Sequence, residues 1–329
     1  MNMEQSIYRH VYVALKNSPI STAFLLTLIA SAIFYNLPGI DRAFTGLFYE
    51  PGRGFPAAKI GMLIDFRNLA SNLSVALPIT LGLALTLKLI YPSKPCLLSP
   101  RMSLYFISLF LIGPALMVNG VLKSFWGRPR PVSVIDFGGP WPFHEAWVIA
   151  NHGWLNRSFS SGEAATVACL LPLALFVPRQ WRWQVATLVG MLVAATSLNR
   201  IAFGAHFLSD VTISICLMLI VAAVLRHLFF VSYADALSDP ALEVRLTALG
   251  RSWARQRAET NVRIGRLLTA VYTKLAGFVL AQGASARAAA TWIAGSGVRG
   301  RIVRTLAPLS SVTAGSTVRR LSQATPTRS

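Results

Sequence analysis

The sequence predicts an all-α, polytopic membrane protein with six transmembrane helices, and three observations carry that prediction. Apolar residues fill 54% of the 329 positions and charged ones only 13%, with a mean hydropathy of +0.53. That leaves too little polar surface for an ordinary soluble globule. Six apolar runs approach the ~20 residues a helix needs to cross a bilayer of about 30 Å. Lysine and arginine gather on alternate connections between those runs, which is the pattern of cytoplasmic loops.

Residues 1–19 form a polar, mildly basic segment carrying Arg9 and Lys16. The first run, Ile20 to Tyr35, leads into Asn36-Leu37-Pro38 without a small-x-small cleavage pattern, so it reads as a span and not a cleavable signal. Residues 37–71 read as a mixed loop. Its Phe44, Phe48, Tyr49 and Phe55 suit the membrane interface, and its charges include Asp41 and Arg67. The second run is Leu73 to Tyr91, with Lys88 placed to snorkel at its end. Ser103 to Leu122 form the third and stop directly on Lys123.

Residues 123–162 make a long loop rich in Gly, Pro and Trp. Glu163 to Val177 supply the fourth span, Pro172 being tolerable inside a membrane helix. Trp183 to Ser197 and Phe207 to Leu225 complete the set, so residues 20–230 form one six-helix domain. An even number of spans puts both termini on one side. Arg9, Lys16, Lys88, Lys94, Arg101, Arg179, Arg182 and Arg226 mark that side as the cytoplasm.

The basic tail, 231–329, holds 14 Lys/Arg against 4 Asp/Glu, about half of the net charge of +19. Anionic phospholipid head groups are a nearer partner for it than nucleic acid, which is not expected here. An amphipathic helix is expected within 241–280; beyond Gly283 the tail turns rich in Ala, Ser, Thr and Arg, and its end is expected to be disordered. Cys96, Cys169 and Cys216 give neither a disulfide framework nor a ligand-pair spacing, and nothing points to a metal or cofactor.

Three polar blocks fall on the non-cytoplasmic side. The first is Lys123 to Pro131, the second Ser160-Ser161-Gly162-Glu163, and the third Asn199-Arg200 with His206 and Asp210. Charge at the end of an apolar span needs a use. Lys123, Arg130 and Arg200 are the donors a phosphate requires, and Ser161-Gly162 before a helix adds a hydroxyl and exposed N–H groups. His206 and Asp210 stand i,i+4, so the carboxylate is expected to hold the imidazole's tautomer and make it a nucleophile. Arg128 reads as a solvated or lipid-phosphate contact, Asn199 as a structural helix-end group, and Trp126 and Gly127 as turn-shaping residues.

Lys123 followed after six residues by Arg130-Pro131, then Ser161-Gly162, then Arg200, five residues, His206, three residues and Asp210 resembles the three-part signature of the type 2 phosphatidic acid phosphatase (PAP2) superfamily. The resemblance covers roughly residues 20–225. It implies a metal-independent phosphoric monoester hydrolase with six spans and its active site at the non-cytoplasmic helix ends. Phosphate is then bound by Lys123, Arg130, Ser161, Gly162 and Arg200, and His206 is phosphorylated while Asp210 orients it. Two blocks depart from the pattern: Ser160-Ser161-Gly162-Glu163 stands where the family has Pro-Ser-Gly-His, and Asn199 where it has serine. The family histidine protonates the leaving oxygen, so Glu163 is expected to keep an acid/base role, as an acid or by positioning water. His144 and His152 are alternative proton donors.

The loop 132–159 and the segment Phe48 to Pro56 are similar to the branch containing bacterial lipid A phosphatases, those acting at the 4′ position above all. That resemblance implies a lipid phosphate substrate in the bacterial inner membrane, with the site facing the periplasm. Phosphatidate, phosphatidylglycerophosphate and polyprenyl diphosphate are alternative substrates. A transporter or a non-catalytic phospholipid-binding protein is the rival class.

Overall fold

The structure, a computed structural model, describes residues 18–150 and 157–295. Helix α1 (Pro19–Asn36) starts at Ser18, whose side chain accepts from the Ser21 N–H, with Pro19 at the first helical position. The short α2 (Gly39–Gly46) follows and buries Asp41 and Thr45. Helix α3 (Gly61–Ile90) begins well ahead of the run expected from Leu73. Its polar first turns are held from outside: Asn199 Nδ2 donates to the Leu63 carbonyl at 3.0 Å, and Arg67 pairs with Glu163.

Helix α4 (Pro100–Phe125) is capped by Ser99, which accepts from the Met102 N–H at 3.1 Å. It is α-helical to Phe110 and π-helical over Leu111–Leu122, around Pro114, whose missing N–H interrupts the ladder. Helix α5 (Gly162–Leu175) is α-helical only to Ala168 and then narrows to a 3-10 turn containing Pro172. Helices α6 (Arg182–Ala202) and α7 (Leu208–His227) follow, and α7 runs on as a π turn to Ser232.

Helix α7 is the hub, packing on α1, α4 and α5. Gly113 of α4 permits its close approach, since a Cβ there would lie 2.5 Å from Met218 Sδ. The main core joins Tyr105, Phe106 and Leu109 to Cys169, Met218 and Leu225. The exterior is apolar too, with Phe24, Leu28, Leu83, Leu116 and Leu188 exposed. In hydrocarbon such side chains cost nothing outside, so the helices associate by packing and not by escape from water.

Six helices among the described residues are long and apolar enough to cross a bilayer: α1, α3, α4, α6 with its leading turn, α7, and a stretch of the long helix after it. The expected fourth span, α5, is shorter, because Pro172 ends its regular hydrogen bonding. The long helix, α8 (Asp239–Gly295), begins against the 92–101 connection. Asp239 Oδ1 accepts from Ser99 Oγ at 2.7 Å and from the Arg101 N–H at 2.9 Å. Lys88, expected to snorkel, is buried, donates to the Pro92 and Lys94 carbonyls and pairs with Glu243. From Arg255 the chain forms a second unit, helical to Gly295 and exposed almost throughout. Helix continues past Gly283, and residues 296–329, on which the disorder expected of the tail's end falls, lie outside the described ones.

Candidate active site

His206 sits in the turn between α6 and α7, with only 3% of its surface exposed. Gly204 makes that turn possible at φ +62°, and a Cβ on it would strike the Phe55 ring at 2.4 Å. The His206 Nδ1 lies 2.7 Å from the Ser158 carbonyl oxygen. That oxygen can only accept, so Nδ1 carries the hydrogen and Nε2 keeps the lone pair. Burial pushes the imidazole's pKa below its ordinary value, and Arg200 and Lys123 act in the same direction while Asp210 opposes them.

Asp210 was expected to hold the imidazole directly, but its Oδ2 lies 3.8 Å from Nδ1. The reason is that its oxygens are engaged elsewhere. Oδ2 accepts from Ser158 Oγ at 2.6 Å and from the Phe207 N–H at 2.8 Å, capping α7, and Oδ1 accepts from Arg128 at 2.6 Å. Ser158 therefore links the two, its carbonyl on the ring and its hydroxyl on the carboxylate.

Arg128 is not a solvated contact. It is fully buried and donates to Asp210, to Asp41 Oδ2 at 2.9 Å, to Ser209 Oγ at 2.8 Å and to the His144 carbonyl at 2.9 Å. Its guanidinium lies over Phe207, 4.6 Å from the ring centroid. Burial alone would lower its pKa, but Asp210 and Asp41 outweigh that and raise it. Asp41 also accepts from the Ser209 N–H at 2.7 Å. Burial raises the Asp41 pKa against the pull of Arg128.

The cationic groups converge from three elements. Lys123 ends α4, Arg200 ends α6, and Arg130 follows the Gly127 turn. Lys123 interacts electrostatically with Arg130, Arg200 and Glu163, and with Arg157, a loop residue that the motif spacing does not point to. A Cβ on Gly162 would stand 2.9 Å from Lys123 Nζ, so only glycine lets the ammonium lie against the start of α5. Arg130 Nε, Arg200 Nε and Ser160 Oγ are buried without a hydrogen-bond partner. Buried donors of that kind are costly unless an anion accepts from them. The Ser161 Oγ accepts from the Ala164 N–H at 3.4 Å, which leaves its own hydrogen to donate. A cleft of about 230 Å³ lies beside Lys123 and Glu163, lined also by Ser71, Asn119 and Gly162.

Glu163 meets a partner that was not anticipated. Arg67 of α3 forks onto it, Nη2 to Oε1 at 2.7 Å and Nε to Oε1 at 3.0 Å, and Arg200 Nε lies 3.2 Å from Oε2. Of the alternative proton donors, His144 contributes its backbone carbonyl to Arg128, and His152 lies outside the described residues. The arrangement provides an imidazole lone pair beside several guanidinium and ammonium donors, which suits attack on a bound phosphoryl group.

Residues 104–233 match the family model of the PAP2 superfamily. The chain is 35% identical over 210 residues to a lipid A 4′-phosphatase of Rhizobium leguminosarum, an overlap of 60% of this chain and 90% of that protein. The chain belongs to the PAP2 superfamily. A lipid A 4′-phosphatase of Rhizobium etli is 36% identical over 60% of this chain and 82% of its own length. One from Francisella tularensis subsp. novicida is 36% identical over 34% and 51%. A transmembrane PAP2-type phosphatidylglycerolphosphate phosphatase from Bacillus subtilis aligns in structure with a TM-score of 0.43 and 20% identity, over 64% of this chain and 94% of that one. As a PAP2 protein with lipid phosphatase relatives, the chain is a bacterial membrane phosphatase. All three blocks fall inside the matched region, whereas Asp41 and Arg67 precede it.

Proposed function

We propose that this PAP2 protein removes a phosphate, the 4′ one, from lipid A by way of a phosphohistidine, without a metal. The observation that carries the chemistry is His206, with Nδ1 committed to the Ser158 carbonyl, beside the cations Lys123, Arg130 and Arg200, of which Arg130 has a buried Nε without a hydrogen-bond acceptor. The substrate reading rests on the two Rhizobium proteins, whose lengths this chain covers by 90% and 82%.

In the first step the Nε2 lone pair attacks phosphorus, the P–O bond to the lipid breaks, and the leaving oxygen takes a proton. Water then attacks phosphorus, the P–N bond breaks, inorganic phosphate departs, and Nε2 regains its lone pair. Lys123, Arg130, Arg200, the Ser161 hydroxyl and the N–H groups at Gly162 neutralise the equatorial oxygens in both steps. Asp210 acts on His206 through Ser158, and Glu163 is the remaining group able to handle a proton. The site faces the periplasm and both termini the cytoplasm, as the loop charges require.

The test is incubation of the purified protein in detergent with lipid A, phosphatidate, phosphatidylglycerophosphate and polyprenyl diphosphate, followed by mass spectrometry. Loss of one phosphate from lipid A by wild type, absent in H206A, is the expected result. Release from none of the four, or full turnover by H206A, defeats the reading. The arginines of α8 beyond Arg255 are read as contacts for anionic phospholipid. If replacing Arg255, Arg263 and Arg266 by glutamine leaves the dependence of activity on anionic lipid unchanged, that contact is absent.

A further inference from the structure

The carboxylate that replaces the family histidine is held as an anion by two guanidinium groups. Oε1 of Glu163 receives two Arg67 donors, and Oε2 stands 3.2 Å from the Nε atoms of both Arg67 and Arg200. A carboxylate held ionised by two guanidinium groups starts the reaction with no proton to give to a leaving group. Oε1 accepts two hydrogen bonds and Oε2 one, so Oε2 keeps a lone pair with which to act as a base. Arg67 and Glu163 are 38% and 24% exposed, and Glu163 lines the cleft of about 230 Å³, a volume with room for water. Arg67 reaches this position from α3, an element that contributes nothing to the three sequence blocks.

We propose that Arg67 is a positioning residue that fixes Glu163 as the base for the second half of the reaction. Glu163 takes a proton from the water that attacks phospho-His206, as the new O–P bond forms and the P–Nε2 bond breaks, and passes that proton to solvent. In the first half the leaving oxygen takes its proton from solvent water, with no acid supplied by the second block. This assignment rests on the phosphohistidine reading above.

The two halves separate experimentally with two esters that share one phosphoenzyme: the lipid phosphate, and p-nitrophenyl phosphate, whose leaving group needs no proton. Steady-state and rapid-mixing kinetics of the purified full-length protein are measured for wild type, E163Q, R67M and R67K. The expected result is a fall in turnover of about 100-fold for E163Q and R67M, equal on the two esters. It is accompanied by a stoichiometric burst of nitrophenol and accumulation of phospho-His206. R67K, which keeps the charge without the fork, recovers only part of the rate.

A deficit confined to the lipid ester would assign Glu163 to leaving-group protonation and overturn the proposal. So would an R67M enzyme as fast as wild type, or a burst slowed as much as turnover. If R67M does not reach the membrane, E163Q and R67K decide by the same comparison. A wild type that releases phosphate from neither ester, or an H206A enzyme that still turns over, would instead remove the reading on which this inference stands.

Discussion

Replacing Arg128 by methionine gives the sharpest test of the buried network, because one cation there serves two carboxylates. Methionine fills much of the same space without charge, so Asp41 and Asp210, 1% and 0% exposed, are left without their shared counter-ion. Removing one partner of a buried ion pair costs about 3–5 kcal/mol. With two anions stranded and the stack on Phe207 lost, the upper end applies. At about 2–4 °C per kcal/mol for a domain of this size, the melting point should fall by roughly 10 °C or more.

Adding D41N should restore a substantial part, because a single buried carboxylate remains and asparagine can still accept from the Ser209 N–H. The pH dependence has a definite sign. The folded state raises the Asp41 pKa above 3.8, so it binds that proton more tightly than the unfolded state does. Stability therefore falls as pH rises from the unfolded value through the folded one. Without Arg128, the largest influence opposing that rise, the window extends upward. The R128M penalty should accordingly be smaller at about pH 5 than at about pH 8. Thermal unfolding in detergent, followed by tryptophan fluorescence, reads all of this. An R128M protein within about 1 kcal/mol of wild type, or a double variant no more stable than R128M, would refute the reasoning.

Three further outcomes follow from the site. Because burial lowers the His206 pKa, the neutral nucleophile persists below the ordinary histidine value of 6.5, and the acid limb of a pH–kcat/KM profile should lie below that value; a limb above it contradicts the geometry. G162A should leave the melting point nearly unchanged, since the obstructing atom is the mobile tip of Lys123, yet lower kcat/KM by about 10-fold or more as the ammonium shifts. S158A removes the 2.6 Å bond to Asp210 and should cost about 1.5–3 kcal/mol of stability, while the backbone carbonyl still holds the imidazole, so its loss of activity should be far smaller than that of H206A.

The apolar runs and the three blocks were legible because each is written in a contiguous pattern: span length, then residue type at fixed spacing. The structure brings Lys123, Arg130, Glu163 and Arg200 of those blocks near one another. What was illegible depends on contacts between distant segments. Arg67 lay in a stretch read as an interfacial loop, and nothing local shows that α3 begins at Gly61 and aims this guanidinium at Glu163, 96 residues away. Arg128 looked solvated because its two counter-ions are 87 and 82 positions distant. Ser158 acts on the ring through its main chain, a role that any residue type can fill and no motif can announce. The shortness of α5 did have a signal, Pro172, but membrane helices often absorb proline and its consequence could not be fixed in advance.

The Asp41–Arg128–Asp210 array also constrains how this chain can diverge. Loss of Arg128 alone passes through an intermediate with two unmatched carboxylates sealed from water, so drift at that position by a single step is closed to it. Relatives that lack the arginine should therefore lack at least one of the two carboxylates as well. That ties the short helix after the first span to the phosphate-handling blocks as one inherited piece, although a long stretch of sequence separates them.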